Sequence, residues 1–464
     1  MTDELSPADR SALAAEHGPV NMAVGGLMLF APEPRLTRAM VAARLTQRIH
    51  LIPRLRQRLD EPPLGLANPV WTDDTGFDLD WHVRQAGLPS PGGEAELGAL
   101  IGREFSHRLD RNRPLWEATV IDGLQDGRQA LLMKVHHALV DGMAALGLAA
   151  LVLDPSEVPL ALPPADDEWE PRRYDLRRHL TRLASRPLAL APRLMLDGMQ
   201  RALAPDPRRA ATEMRRATEV ALELARTRPS APMTPLNRPI SPNRRFALAT
   251  GDLAAIKRAG KAAGATVNDA LLAVVAGAIG HYLAASRTLP GRADSNARPV
   301  ALVPVSVRPT GPADGETGNR ISTVFVDLPV GEPELTQRIR AVAEQTRELK
   351  ESAAVRAGAM MVGASGFAPP LVSGLLARTM GTVRAFNLVV SNIPGPQQPF
   401  YLSGVRLRGV YPIVPLNPAN QGLTVGIISY DGQLCFGLLA DRDLDPPLAV
   451  AVAGLREELE QLEP

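Results

Sequence analysis

Gln129-Ala130-Leu131-Leu132-Met133-Lys134-Val135-His136-His137-Ala138-Leu139-Val140-Asp141-Gly142 is the stretch from which the rest of the chain can be read. Its first part reads as a strand, and the small apolar run Met143 to Leu151 beyond it reads as a buried helix. Two histidines and an aspartate therefore form a polar island between two core elements. Side chains alternate across a strand, so His136 and His137 point to opposite faces and only one can face a given cavity. A neutral imidazole is suited to deprotonating an alcohol. Asp141 stands where a helix N-cap belongs, or binds an arginine from elsewhere, and Gly142 lets the backbone turn tightly. On these residues alone a structural reading of the histidine pair stands beside the catalytic one. A zinc site lacks a third ligand of suitable spacing, because the other six histidines, at 17, 50, 82, 107, 179 and 281, are scattered singly.

The elements around this stretch alternate between strand and helix, which indicates an α/β protein with mixed sheets. Upstream, residues 19–31 read as a strand in which Gly25-Gly26 marks a bulge or a close backbone approach. A helix is expected over Leu36 to His50, an exposed strand edge over Ile52 to Leu59, and a period-two strand over Phe77 to Arg84. A helix from about Glu94 to Phe105 follows. Pro114 to Ile121 should pair with 129–137 across the turn at Asp122–Gly127. In the second half, strands are expected near Arg244 to Leu248, Val300 to Val307, Ile321 to Leu328 and Asn387 to Pro396. Thr266 or Asn268 would cap a helix beginning there. A helix over Glu334 to Ser352, a hairpin turning at Asp431-Gly432 and a final helix over Pro447 to Leu462 complete the pattern.

A chain of 464 residues, 45% hydrophobic, is comfortable as two domains. The expected division is 1–165, a helical Arg/Pro-rich linker over 166–243, and 244–464. Between 166 and 245 the sequence holds 17 arginines, no lysines and 10 acids, although the whole chain carries a net charge of only +1. Prolines divide this stretch into helical pieces at 173–185, 188–204 and 207–227. It reads as a linker packed on both domains, or as a basic amphipathic surface resting on anionic lipid. The overall balance offers no argument for nucleic acid as a partner. The single cysteine, Cys435, fits a reducing interior and a core strand rather than a nucleophile. The N-terminus lacks the regions of a signal peptide, and the longest apolar runs fall short of the ~20 residues that span a bilayer. A soluble or membrane-peripheral protein is expected.

What is missing narrows the chemistry. There is no Gly-x-Ser-x-Gly elbow, no phosphate loop ending Gly-Lys-Ser/Thr and no dinucleotide fingerprint. A reaction that needs one histidine, no nucleophilic partner and no cofactor is direct transfer of an acyl group from a thioester to an alcohol. The thioester carbonyl is already activated, and the leaving thiolate, with a pKa of roughly 8.5 by analogy with cysteine, is a weak base.

His-His-Ala-Leu-Val-Asp-Gly at 136–142 resembles the HHxxxDG motif of the CoA-dependent acyltransferase superfamily, which includes chloramphenicol acetyltransferase-like and condensation domains. More narrowly, the chain is similar to bacterial wax ester synthases/diacylglycerol acyltransferases. Pro114-Leu115-Trp116, Val267-Asn268-Asp269-Ala270, Val303-Pro304-Val305-Ser306-Val307-Arg308 and Ser391-Asn392-Ile393-Pro394-Gly395-Pro396 match further blocks of that family in order. Leu5-Ser6-Pro7 and Gly25-Gly26-Leu27 resemble its opening. After Asp9, however, Arg10-Ser11-Ala12-Leu13-Ala14 lacks the aromatic and bulky apolar residues expected there.

The resemblance implies two chloramphenicol-acetyltransferase-like domains with a channel at their interface, and His137, the motif's second histidine, as general base. His136 and Gly142 would support it, and Asp141 would be architectural, paired with Arg308. Asn268, Ser391 and Asn392 are candidate donors near the developing oxyanion, their other reading being a helix cap and a turn. Acyl-CoA would serve as co-substrate with no resident cofactor or metal. Diacylglycerol or a fatty alcohol would accept the acyl group, in a cytoplasmic enzyme at a membrane or lipid-body surface. A sugar, polyketide or carrier-bound acceptor, a non-catalytic lipid-binding protein and a metal-dependent hydrolase are the competing readings.

Overall fold

Alternation along the central strand sets up two cores at once. In the computed structural model, which describes residues 3–61, 69–139, 152–160, 169–171, 231–287, 298–306, 321–351, 385–416 and 420–462, this strand is Gln129–His136. Ala130 and Leu132 enter one apolar cluster, and Leu131 and Val135 enter another on the opposite face. A strand sandwiched in this way reads as a continuous apolar run.

The first half begins with β1 (Asp3–Glu4) and α1 (Pro7–Ala15), whose cap Ser6 accepts the Asp9 amide while Asp9 accepts the Ser6 amide. Next come β2 (Ala23–Phe30), α2 (Arg38–Arg48), β3 (Gln57–Asp60), β4 (Val70–Asp73), α3 (Leu79–His82), β5 (Val83–Gly87), α4 (Glu94–Ser106), β6 (Trp116–Asp122) and β7 (Gln129–His136). The second half supplies β8 (Arg244–Asp252), α5 (Leu253–Ala262), α6 (Val267–Arg287), β9 (Val300–Ser306), β10 (Ile321–Asp327) and α7 (Leu335–Glu351). It ends with β11 (Leu388–Ile393), β12 (Tyr401–Leu402), β13 (Val405–Ile413), β14 (Leu423–Tyr430), β15 (Gln433–Asp441) and α8 (Leu448–Glu460).

These strands form two mixed six-stranded sheets and a small three-stranded one. The first sheet runs β12-β13-β2-β7-β6-β5, the second β10-β9-β11-β14-β15-β8. The α/β class with mixed sheets is therefore the one expected. The ordering adds something sequence did not show: β12 and β13, from beyond residue 400, lie in the first sheet, with Ile413 opposite Gly25 and Tyr411 opposite Leu27.

The two sheets meet where β13 crosses β14 and β15. A Cβ at Gly437 would lie 2.0 Å from the Pro412 carbonyl oxygen, so only glycine permits this approach. Gly25 serves the same purpose under α4, where a Cβ would meet the Met133 carbonyl oxygen at 2.2 Å and the Phe105 ring at 2.7 Å. The expected close approach is thus found at Gly25, while the irregularity in this pair of strands falls between Leu407 and Gly409.

Several local readings are corrected. Phe77 to Arg84 is not one strand: Asp78 accepts the Asp80 amide at 2.9 Å and starts the helical turn α3, so β5 begins only at Val83. Of the expected edge at Ile52 to Leu59, Pro53–Arg56 is a 3-10 turn and the strand is Gln57–Asp60, with Leu55 and Leu59 buried. The strands β4, β12 and β13 and the helices α1 and α5 were not anticipated. The cap of α6 is Thr266, whose hydroxyl accepts the Asp269 amide at 3.3 Å while Asp269 accepts the Thr266 amide at 2.9 Å. Asp431 and Gly432 both take positive φ, 46° and 80°, as a tight hairpin turn requires. Cys435 is fully buried, and burial pushes its thiol up to about 11.

Helix α6 is long and apolar enough by composition to cross a bilayer, yet 78% of its apolar window is buried inside the protein. Helices α5, α7 and α8 pack on it, and it forms the centre of the second core. The expected helix after Gly142 and those of the arginine-rich stretch lie outside the described residues.

Candidate active site

The histidine pair sits where β7 ends. His136 follows Leu132 and Lys134 onto the α4 face and is 1% exposed, whereas His137, the first residue of the ensuing turn, is exposed. The His136 amide donates to the Leu115 carbonyl at 3.0 Å, and the His137 amide to the Met22 carbonyl at 2.9 Å. The two bonds moor the turn between the Pro114-Leu115-Trp116 block and the segment leading into β2.

Both ring nitrogens of His136 face groups inside the fold, one of them through a hydrogen bond. Its Nδ1 accepts the Ala138 amide at 3.0 Å, so the proton of the neutral ring resides on Nε2. That atom faces Glu16 Oε1 at 3.5 Å, with both side chains almost fully buried. Glu16 also accepts the Met22 amide at 3.1 Å and Arg111 Nη2 at 3.1 Å. Burial alone would raise the Glu16 carboxyl, but His136, the Met22 amide and Arg111 outweigh it and hold the group at about 2.

The strap between α1 and β2 is tied down residue by residue. Arg108 donates to the Gly18 and Val20 carbonyls, the latter at 3.3 Å, and Arg244 Nη2 donates to the Pro19 carbonyl at 2.7 Å. Asn21 donates to the Phe105 and His107 carbonyls at 2.9 and 2.7 Å and accepts the Ala23 amide at 3.0 Å. Lys134 reaches the same helix end, its Nζ donating to the Glu104 and His107 carbonyls at 2.8 and 2.7 Å. A buried cation there meets the negative end of the α4 dipole, although burial pulls its pKa down.

On the other side of the turn, Trp116 donates its indole N–H to the Leu55 carbonyl at 2.8 Å and stacks on His82 with ring centroids 4.5 Å apart. His82 Nδ1 lies 2.7 Å from the Trp116 carbonyl oxygen, and burial draws this imidazole down to about 4. The ring is therefore neutral at physiological pH and supports the Trp116 end of β6.

Of the other candidates, Asn268 and Asn392 are brought together: Asn392 Nδ2 donates to Asn268 Oδ1 at 3.3 Å, joining the first turn of α6 to the end of β11. Ser391 precedes Asn392 in β11, half-buried and opposite Gly426 of β14. Asp269, beside Asn268, is buried and accepts Thr346 Oγ1 at 2.8 Å, which ties α6 to α7. Asp141, Gly142 and Arg308 lie outside the described residues. Among the described residues no group of three or more histidines, cysteines or acids could hold a metal ion.

Sequence reasoning missed Glu16, Asn21, Arg111 and Arg244 and gave Lys134 no role. For Glu16 and Asn21 the one signal was type: a lone acid or amide between Leu13 and Ala23 must find a partner once the segment is buried, but nothing local says which.

The family model for the catalytic domain of wax ester synthase/diacylglycerol acyltransferase matches residues 5–271, and that for the C-terminal domain of the same family matches 317–463. The probable diacylglycerol O-acyltransferase tgs2 of Mycobacterium tuberculosis H37Rv is 33% identical over 481 residues, covering 99% of each chain. The solved wax ester synthase/diacylglycerol acyltransferase from Marinobacter aquaeolei VT8 superposes with a TM-score of 0.68 at 29% identity, over 99% of this chain and 98% of that one. The first condensation domain of the calcium-dependent antibiotic synthetase shares the fold, with a TM-score of 0.57 at 16% identity over 100% of this chain and 96% of its own. The chain, matched along its length by both domains of the family, belongs to the wax ester synthases/diacylglycerol acyltransferases.

Proposed function

We propose that the protein moves a long-chain acyl group from acyl-CoA to the free hydroxyl of diacylglycerol, of a long-chain alcohol, or of both, with His137 as general base. The observation that carries the assignment is the commitment of His136: its Nδ1 is taken by the Ala138 amide and its Nε2 faces Glu16. His137, exposed in the turn that follows β7 and held there by its backbone, is the histidine of the pair that we assign as base. It takes the hydroxyl proton as the oxygen attacks the thioester carbonyl. When the tetrahedral intermediate collapses and the C–S bond breaks, it returns that proton to the departing CoA sulfur. No covalent acyl-enzyme and no cofactor beyond the co-substrate is required.

Asn268 is the proposed oxyanion donor, because its amide oxygen is occupied by Asn392 and its NH2 group is thereby turned elsewhere. Asp141 and Arg308 are proposed as an architectural pair. An acceptor this insoluble places the reaction at a lipid surface, and the arginine-rich 166–245 stretch is the proposed contact, on the cytoplasmic face of a membrane or on lipid bodies.

The test is release of free CoA from palmitoyl-CoA offered with diacylglycerol and hexadecanol together, followed by product analysis. His137→Ala should lose essentially all turnover while keeping its melting temperature. Turnover near that of the unchanged protein would end the reading of His137 as base.

A further inference from the structure

Arg244 opens the second sheet, yet its side chain reaches into the first half of the molecule. The guanidinium is buried, 3.6 Å from Asp441 of β15, and Nη1 donates to the Asn243 carbonyl at 3.1 Å and to the Ser241 carbonyl. Nη2 is spent differently: it donates at 2.7 Å to the Pro19 carbonyl in the strap before β2. The backbone of the same residue is fixed as well. Its amide donates to Ser106 Oγ at 2.9 Å, and α4 approaches so closely that a Cβ at Gly102 would lie 2.5 Å from the Arg244 carbonyl oxygen. Three residues beyond Pro19, the Met22 carbonyl accepts the His137 amide.

We infer that Arg244 is a positioning residue for His137, a strut through which the second sheet sets the location of the histidine turn. Asp441 and the Ser241 and Asn243 carbonyls hold one edge of the guanidinium, the Pro19 carbonyl takes the other, and the planar fork fixes the spacing between them. A lysine keeps the charge opposite Asp441 but cannot serve both edges at once. The strap has no regular secondary structure of its own, so its carbonyls go where their donors put them.

The catalytic meaning of the strut rests on His137 being the base, and the test separates the two. Arg244→Met and Arg244→Lys are compared with the unchanged chain by hydrogen exchange and by steady-state kinetics with palmitoyl-CoA. In Arg244→Met the His137 amide should exchange at least about tenfold faster, while amides of the β14–β15 hairpin keep their protection. The value of kcat should fall about tenfold with KM for palmitoyl-CoA within about twofold, as expected when geometry rather than binding is lost. Arg244→Lys should fall between the two, and it carries the test if the methionine variant fails to fold. Exchange that rises equally at His137 and in the hairpin, or that does not rise at His137, overturns the strut, and so does a kcat that falls only with the folded fraction. If His137→Ala kept full turnover while the exchange pattern held, the reading of His137 as base would fall and the strut would stand as a structural tie alone.

Discussion

Glu16 lies within reach of three donors, the Met22 amide and His136 Nε2 at one oxygen and Arg111 at the other. With its carboxyl held at about 2 against an ordinary 4.5, the folded state carries fewer protons than the unfolded chain between those values. Stability from this group is therefore complete above about pH 4.5 and is lost as pH falls toward 2. Glu16→Gln should cost about 2 kcal/mol at pH 7, because an amide oxygen can face the Met22 amide and His136 but then sets its NH2 group against the Arg111 guanidinium. The same variant should flatten the acid limb of a urea-unfolding series taken from pH 6 to 3. A limb of unchanged steepness would show that the carboxylate is not the group being titrated. At this scale the sequence was legible in part. The strand alternation separated His136 from His137, but of the groups facing the His136 ring only the Ala138 amide is local, and Glu16 lies 120 residues upstream, where no local pattern could point to it.

Element boundaries were legible wherever one face of a strand or helix is apolar and its ends carry turn chemistry, as in β7, β14, β15 and α4. Prediction failed where aromatic residues imitate the strand period. Phe77, Trp81 and the neighbouring Leu79 alternate with polar residues, yet an Asx cap at Asp78 converts them to a helical turn. The β13 segment was missed although its burial alternates from Val405 to Ile413, because Gly409 and Pro412 read as loop residues in isolation. Helix α4 depends on a donor supplied by another element: Lys134 of β7 satisfies two of its last carbonyls. Lys134→Met preserves length and apolar stem but leaves those oxygens without their cation. It should lower stability by about 2–3 kcal/mol, read as a reduced urea midpoint at constant m-value. An unchanged midpoint would mean that water replaces the ammonium at no cost.

Across the whole molecule, the two sheets are joined by close backbone contact as well as by side chains. At Gly437 an added methyl would drive into the Pro412 carbonyl, which is backbone and cannot rotate away, and would also crowd the Phe246 ring at 3.3 Å. Gly437→Ala should therefore cost about 3 kcal/mol or more and lower the melting temperature accordingly, whereas Gly432→Ala, with open space around its Cβ, should be penalised only for its positive φ. Equal melting temperatures for the two variants would contradict the close crossing. The α/β class and the sheet-forming segments of both halves could be read from the chain, but strand order could not, because period and propensity do not say which distant edge a strand will join.

That order has a consequence for how the protein is made. The edge of β2 that β13 covers, from Gly25 to Phe30, stays unpaired until residue 413 has left the ribosome, with nearly nine-tenths of the chain already synthesised. Throughout that interval the nascent first sheet presents an open apolar edge of the kind that recruits foreign strands. A version of the gene cut between the halves would leave its first product permanently in that state. The two sheets are thus consecutive on the page of the sequence but must be finished together.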